Sequence, residues 1–153
     1  MNVYISYFYR IRFFPKNLLP VSTAAWDPKW FHEGMGPQHS FMDKRGIING
    51  LRIPELSPAA VPEVEICQPN CQKDYKTCGF LKWYRKCLHD LDFDAVMRKL
   101  EETARNAATP DNKNMDMCLI VYETPSNPCS ERVPIVEWFA EHGVNVKEFE
   151  KPA

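Results

Sequence analysis

The chain has 153 residues, a net charge of −1, 44% apolar and 25% charged residues, which fits one folded domain with a real core and excludes wholesale disorder. No apolar run reaches the roughly 18 residues of a membrane span, and the start MNVYISYFYRIRFF has no basic segment leading into a long aliphatic one, so neither a span nor a signal peptide is expected. The expected location is the cytoplasm, where the six cysteines read as thiols, metal ligands or buried small hydrophobes rather than disulfides.

NVYISYFY (2–9) is β-branched and aromatic, with Val3, Ile5 and Tyr7 on one face, and is expected to be a central strand. LLPVSTAA (18–25) predicts a second short strand entered through Pro20. From residue 26 to 78 the chain becomes a loop-rich excursion: eight of the thirteen prolines fall between Pro15 and Pro69, which discourages long regular elements. Within it, Asn49 and Gly50 suit a tight turn, while Arg52 could instead reach an anionic ligand as Trp26 or Trp30 stacks on its base. His32 and His39 read as solvated loop histidines. Cys67, Cys71 and Cys78 could hold a structural zinc, although C-x3-C-x6-C departs from the usual paired C-x2-C spacing.

Helices follow. GFLKWYRKCLHDL (79–91) places Phe80, Tyr84, Cys87, Leu88 and Leu91 on one apolar stripe. DFDAVMRKLEETARNA (92–107) does the same with Phe93, Val96, Met97, Leu100 and Ala104, with Asp92 as N-cap. MCLIVY (117–122) is a continuous apolar run of strand length, the kind covered on both faces of a parallel sheet. Residues 131–142 predict a third helix ended by Gly143, and VNVKEF (144–149) alternates as a last strand. The β–α–β order over 117–149 implies a right-handed crossover. The expected fold class is α/β: a small, mainly parallel, Rossmann-like sheet flanked by helices, in a single domain over 1–153.

A proline is tolerated in a helix's first turn and clashes further in, so Pro134 favours Ser130 as the N-cap of the third helix, with Glu131 and Arg132 at its first two positions. Glu123, Cys129, Ser130 and Arg132 then crowd the carboxyl edge of strand 117–122, where open α/β sheets bind ligands and a helix N-terminus offers free N–H donors. Arg132 could clamp a phosphate or tie the loop to Glu123. Cys129 could be an activated thiol or simply buried.

Two stretches, YISYFYRIRFFPKNLLPVSTAAWDPKWF (4–31) and CLIVYETPSNPCSERVPIVEWFAEHG (118–143), resemble the family catalogued as domain of unknown function 488, small bacterial and phage proteins. The matching positions are Ser6, Tyr7 and Phe8, then Ser22, Trp26, Pro28 and Trp30, then Tyr122, Glu123, Cys129 and Arg132. One departure is plain: the family's Cys-His-Arg is CSER here, without the histidine and with one residue inserted. The resemblance implies an α/β fold with a pocket lined by these residues, for a nucleotide or nucleobase, and a location in the host cytoplasm if the chain is phage-encoded.

Residues 1–54 carry +4 and ten of the nineteen aromatics, while the remainder sums to −5. Cations beside flat rings suit a phosphate-bearing, base-containing ligand, whereas an overall charge near zero argues against a long duplex footprint. The leading expectation is a binder of a nucleotide-derived small molecule at the strand ends, one able to sequester it. Its ligand residues would be Ser6, Tyr7, Ser22, Trp26, Trp30, Asn49, Arg52, Glu123, Ser130 and Arg132. The alternative is an N-glycosidase or transferase acting on a nucleotide or nucleic-acid base, with Glu123 as acid/base or nucleophile, Cys129 assisting, and Asp27 or Asp43 as candidate partner acids. A third is an interaction domain with a structural zinc. A homo-oligomer is compatible with all three.

Overall fold

The computed structural model describes residues 1–34, 46–58, 74 and 76–151. Its elements in chain order are β1 (Val3–Tyr7), a 3-10 helix (Phe8–Phe13), β2 (Leu18–Ser22), β3 (Phe31–Glu33), β4 (Ile48–Arg52), a 3-10 turn (Pro54–Leu56), α1 (Gly79–His89), α2 (Phe93–Ala107), β5 (Asp116–Val121), α3 (Arg132–Glu141) and β6 (Lys147–Glu148). The strands form one sheet in the order β3-β4-β2-β5-β1-β6, with every pairing parallel, so all carboxyl ends lie along one edge. This is the expected Rossmann-like α/β arrangement. No helix among the described residues is long and apolar enough to cross a membrane.

β5 sits between β1 and β2 and is buried from Met117 to Val121, which is why its sequence is apolar without alternation. Met117, Leu119 and Val121 join Val3, Ile5, Leu19 and Val21 under the three α-helices. Cys118 and Ile120 face the other way, into a core closed by Phe8, Ile11, Phe14, Phe31 and Phe149. Each such side chain removed from water contributes about 1.5–3 kcal/mol. β1 is internal but second from the edge, with β5 nearer the centre. It stops at Tyr7 because the chain turns into the 3-10 helix that covers the second face.

Pro20 does not open β2 but sits inside it, opposite Cys118 of β5. The Ser22 carbonyl accepts from Ile53 N–H, so residues 20 and 22 both turn their backbone groups toward β4. The β4 ladder starts only at Val21, so the missing N–H breaks nothing. The Pro-rich excursion holds two short strands, and Asn49-Gly50 lies within β4 rather than in a tight turn. Gly50 is needed for packing: a Cβ there would run into the Phe31 ring and come within 3.0 Å of the Pro20 carbonyl oxygen.

Asp92 caps α2 as expected, its side chain accepting from Ala95 N–H at 3.1 Å. The stripe of α1 is rotated from the predicted one: Leu81, Tyr84 and Leu88 are buried, while Phe80 and Cys87 are half-buried. α3 ends in a left-handed Gly143 (φ 80°), whose N–H donates to the Ala140 carbonyl, with Val144 N–H donating to that of Phe139. Only Lys147 and Glu148 of the predicted last strand pair with β1.

Candidate functional site at the carboxyl edge of the sheet

The register puts Ser6, Ile120, Ser22 and Arg52 in one row across β1, β5, β2 and β4, the last complete row before the edge. On the β2–β4 side, Asp27 organises the loop after β2. Its Oδ1 accepts from the Ser22 hydroxyl and from Arg52 Nη1, each at 2.5 Å. Arg52 Nη2 donates to the Ala24 carbonyl at 2.6 Å, and the Ser57 hydroxyl donates to the same oxygen at 3.0 Å. Arg52 therefore spends two nitrogens within the protein, and Asp27 is the partner of that guanidinium and not of Glu123.

Past β5 the chain keeps alternating for two residues. Tyr122 continues the Ile120 face, with its ring 4.9 Å from Phe8 and its hydroxyl pKa raised by partial burial and then by the Asp27 charge. Glu123 turns to the opposite side, toward the start of α3. There Ser130 is fully buried, its hydroxyl accepting from Arg132 N–H at 3.1 Å and donating to Glu123 Oε2 at 3.4 Å. The Ser130 hydroxyl thus holds one first-turn N–H, but the N-cap position falls on Glu131, whose side chain makes no capping bond, and α3 proper begins at Arg132, one residue later than predicted.

Glu131 is the residue that sequence reasoning missed. It is buried at 5% exposure, and burial first, then the Glu123 charge and a hydrogen bond to Glu123, push its carboxyl up to about 7; its own backbone N–H and Arg132 pull the other way. Glu131 and Glu123 are thus a carboxyl pair holding a proton near neutral pH. The signal was present: the Ser130 register had already put Glu131 in the first turn beside the strand end. The sought partner acid was eight residues from Glu123, whereas Asp43 lies outside the described residues.

Arg132 does tie this wall together, but through other groups than expected. Its Nε donates to Glu148 Oε1 and its Nη1 to the Glu123 backbone carbonyl, both at 2.7 Å. Among the described residues its Nη2 is buried without a partner, as are Glu148 Oε2 and Ser6 Oγ. Burial raises the Glu148 pKa against the lowering effect of Arg132.

Of the other expected ligand residues, Trp26 is 73% exposed at the rim. Trp30 packs edge-on against Phe8, and the Tyr7 hydroxyl accepts from Arg10 Nε at 3.3 Å. Asn49 pairs with His32 three residues short of the end of β4, away from the edge. Cys129 is half-buried, with its N–H on the Asn127 side chain. Cys67 and Cys71 lie outside the described residues. Cys78 stands at the start of α1, and no cluster of three or more metal-ligating side chains occurs among the described residues.

An open groove of about 650 Å³, lined by Tyr4, Leu18, Asp116 and Glu148 among others, touches neither the acid pair nor Asp27. No family model, curated protein or solved structure matches the chain.

Proposed function

We propose that the carboxyl edge of the sheet takes a nucleotide-derived substrate, and that Glu123 and Glu131 cleave or transfer its N-glycosidic bond. The observation that carries this reading is the Glu131 carboxyl, still protonated near pH 7 and in contact with a second carboxylate. An acid poised at the working pH beside a base is what general acid–base catalysis requires. Glu131 would protonate the departing base as the bond from sugar carbon to base nitrogen breaks, the electron pair staying on nitrogen. The incoming water or sugar hydroxyl bonds to that carbon and gives its proton to Glu123, so the pair again holds one proton. Trp26, 73% exposed, and Tyr122, 43% exposed, offer faces for the base. The residues shared with the domain of unknown function 488 family support membership of that family and with it a nucleotide or nucleobase pocket, but they supply no reaction.

The unpartnered, buried Arg132 Nη2 favours a second reading, in which the edge holds a phosphate and turns nothing over. Incubation with a panel of nucleosides, nucleotides and nucleotide sugars, followed by chromatography for free base and by native mass spectrometry, separates the two. Base release by the wild type, lost in Glu123→Gln and in Glu131→Gln, supports the enzyme. Retention of an intact ligand by all three proteins, with no base released, supports the binder and rejects catalysis.

A further inference from the structure

Next to this edge, the 3-10 helix Phe8–Phe13 carries a row of rings and cations that the acid-pair chemistry does not use. The Arg12 guanidinium carbon lies 4.0 Å from the centre of the Tyr9 ring, and its Nε donates to the Tyr9 carbonyl at 2.8 Å. The Tyr9 and Phe13 rings are 6.0 Å apart, and Lys151 Nζ stands 4.3 Å from the centre of Phe13. Arg12, Tyr9, Phe13 and Lys151 therefore form one unbroken sequence. Tyr9 is 54% exposed, and both cations are exposed with it. The 3-10 helix that carries the row starts beside the site, since its first residue, the buried Phe8, meets Tyr122 at 4.9 Å.

Charge singles out one kind of partner. The first 26 residues hold three cations, Arg10, Arg12 and Lys16, and no carboxylate, and the C-terminal segment that meets them adds Lys147 and Lys151 against Glu148 and Glu150, a local excess of three positive charges in a chain whose net charge is −1. A row that alternates flat apolar faces with fixed positive charge matches a polymer that alternates bases with phosphates. Stacking needs bases that are unpaired and turned outward, which a duplex does not offer.

We infer that this row is a track for single-stranded nucleic acid, a few nucleotides long, on the 3-10 helix that starts beside Tyr122. If the proposed function of the edge also holds, the substrate is a nucleotide within a strand rather than a free one; that clause alone rests on the acid-pair reading.

The test is fluorescence anisotropy with labelled single-stranded DNA and RNA of about ten nucleotides, and with a duplex of the same length. The wild type is compared with Tyr9→Ala, Arg12→Ala and Lys151→Ala, all at exposed positions, and circular dichroism checks that each is folded. Single strands are expected to bind at least about tenfold tighter than the duplex, and Tyr9→Ala to weaken them about tenfold. Arg12→Ala and Lys151→Ala should each flatten the dependence of log affinity on log salt by about 0.7. Absence of single-strand binding, equal affinity for duplex, or unchanged affinity in all three variants overturns the track. Base release from mononucleotides with no strand binding rejects the track and leaves the acid pair standing, while strand binding without base release from any substrate does the reverse.

Discussion

The carboxyl end of β5 divides two small polar clusters that use the same side chains to opposite ends. On the Tyr122 side, the Asp27 carboxylate meets the Arg52 guanidinium and the Ser22 hydroxyl. On the Glu123 side, a carboxylate meets a second carboxyl group, and a cation reaches them mainly through the Glu123 backbone carbonyl. One cluster is a charge-compensated brace; the other shares one proton between two carboxyl groups near neutrality. Partial burial at a strand end is common to both, so burial alone does not single out a catalytic site. What differs is the sign of the nearest neighbour.

On the proposed reading, the sharpest break between the clusters is in turnover. With a substrate from the nucleotide panel, Glu123→Gln is expected to lower kcat by about 10²–10⁴-fold, the usual worth of a positioned acid or base, and Asp27→Asn by less than about tenfold. Equal losses would dissolve the distinction, because then both carboxylates belong to the chemistry. In stability the order reverses. Arg52→Ala leaves Asp27, 12% exposed, without its counter-charge, while Asp27 Oδ1 and the Ala24 carbonyl keep one donor each in the Ser22 and Ser57 hydroxyls, at a cost of about 3 kcal/mol in denaturant unfolding. A cost under about 1 kcal/mol would mean that the brace carries little of the loop's order.

Next in size is the pH dependence that the acid pair imposes on folding. Glu131 keeps its proton up to about pH 7 when folded, against 4.5 as the ordinary value, so the native state binds more protons than the unfolded state between those limits. Stability therefore falls as pH rises through that window. Glu131→Gln removes the titration, and the variant should exceed the wild type at pH 8 by on the order of 2–3 kcal/mol while matching it at pH 4. Urea unfolding at the two pH values tests this. Parallel curves would place Glu131 in an ordinary solvated setting.

Much of the fold was legible because the elements that position the edge are long and periodic. The run 117–122, the Asp92 cap and Gly143 each carry a local signal that nothing remote overrides. The rest was hidden by remote contacts. Gly50 reads as a turn residue beside Asn49, yet it is glycine because the Phe31 ring, nineteen residues away in sequence, lies over it in β3. Arg52 reads as a free cation until the loop after β2 brings Asp27 to it. Glu131 was named as a helix-start residue but not as an acid, because its value depends on burial and on the Glu123 carboxyl, which no spacing rule contains. The α1 stripe rotated for the same reason: Leu81, Tyr84 and Leu88 and the predicted set differ by a fraction of a turn, and only packing chooses between them.

The smallest effect tests the hinge between the clusters' chemistry and the helix that carries one of them. The Ser130 hydroxyl holds Arg132 N–H at 3.1 Å and reaches Glu123 Oε2 at a long 3.4 Å, so it is first a cap and only weakly a donor to the pair. Ser130→Ala should cost about 1 kcal/mol of stability, the usual worth of a capping hydroxyl. Urea unfolding of Ser130→Ala, set against the wild type, reads that cost. A loss above about 3 kcal/mol would mean that the hydroxyl, buried between Arg132 N–H and the Glu123 carboxylate, holds the whole wall together rather than merely starting α3.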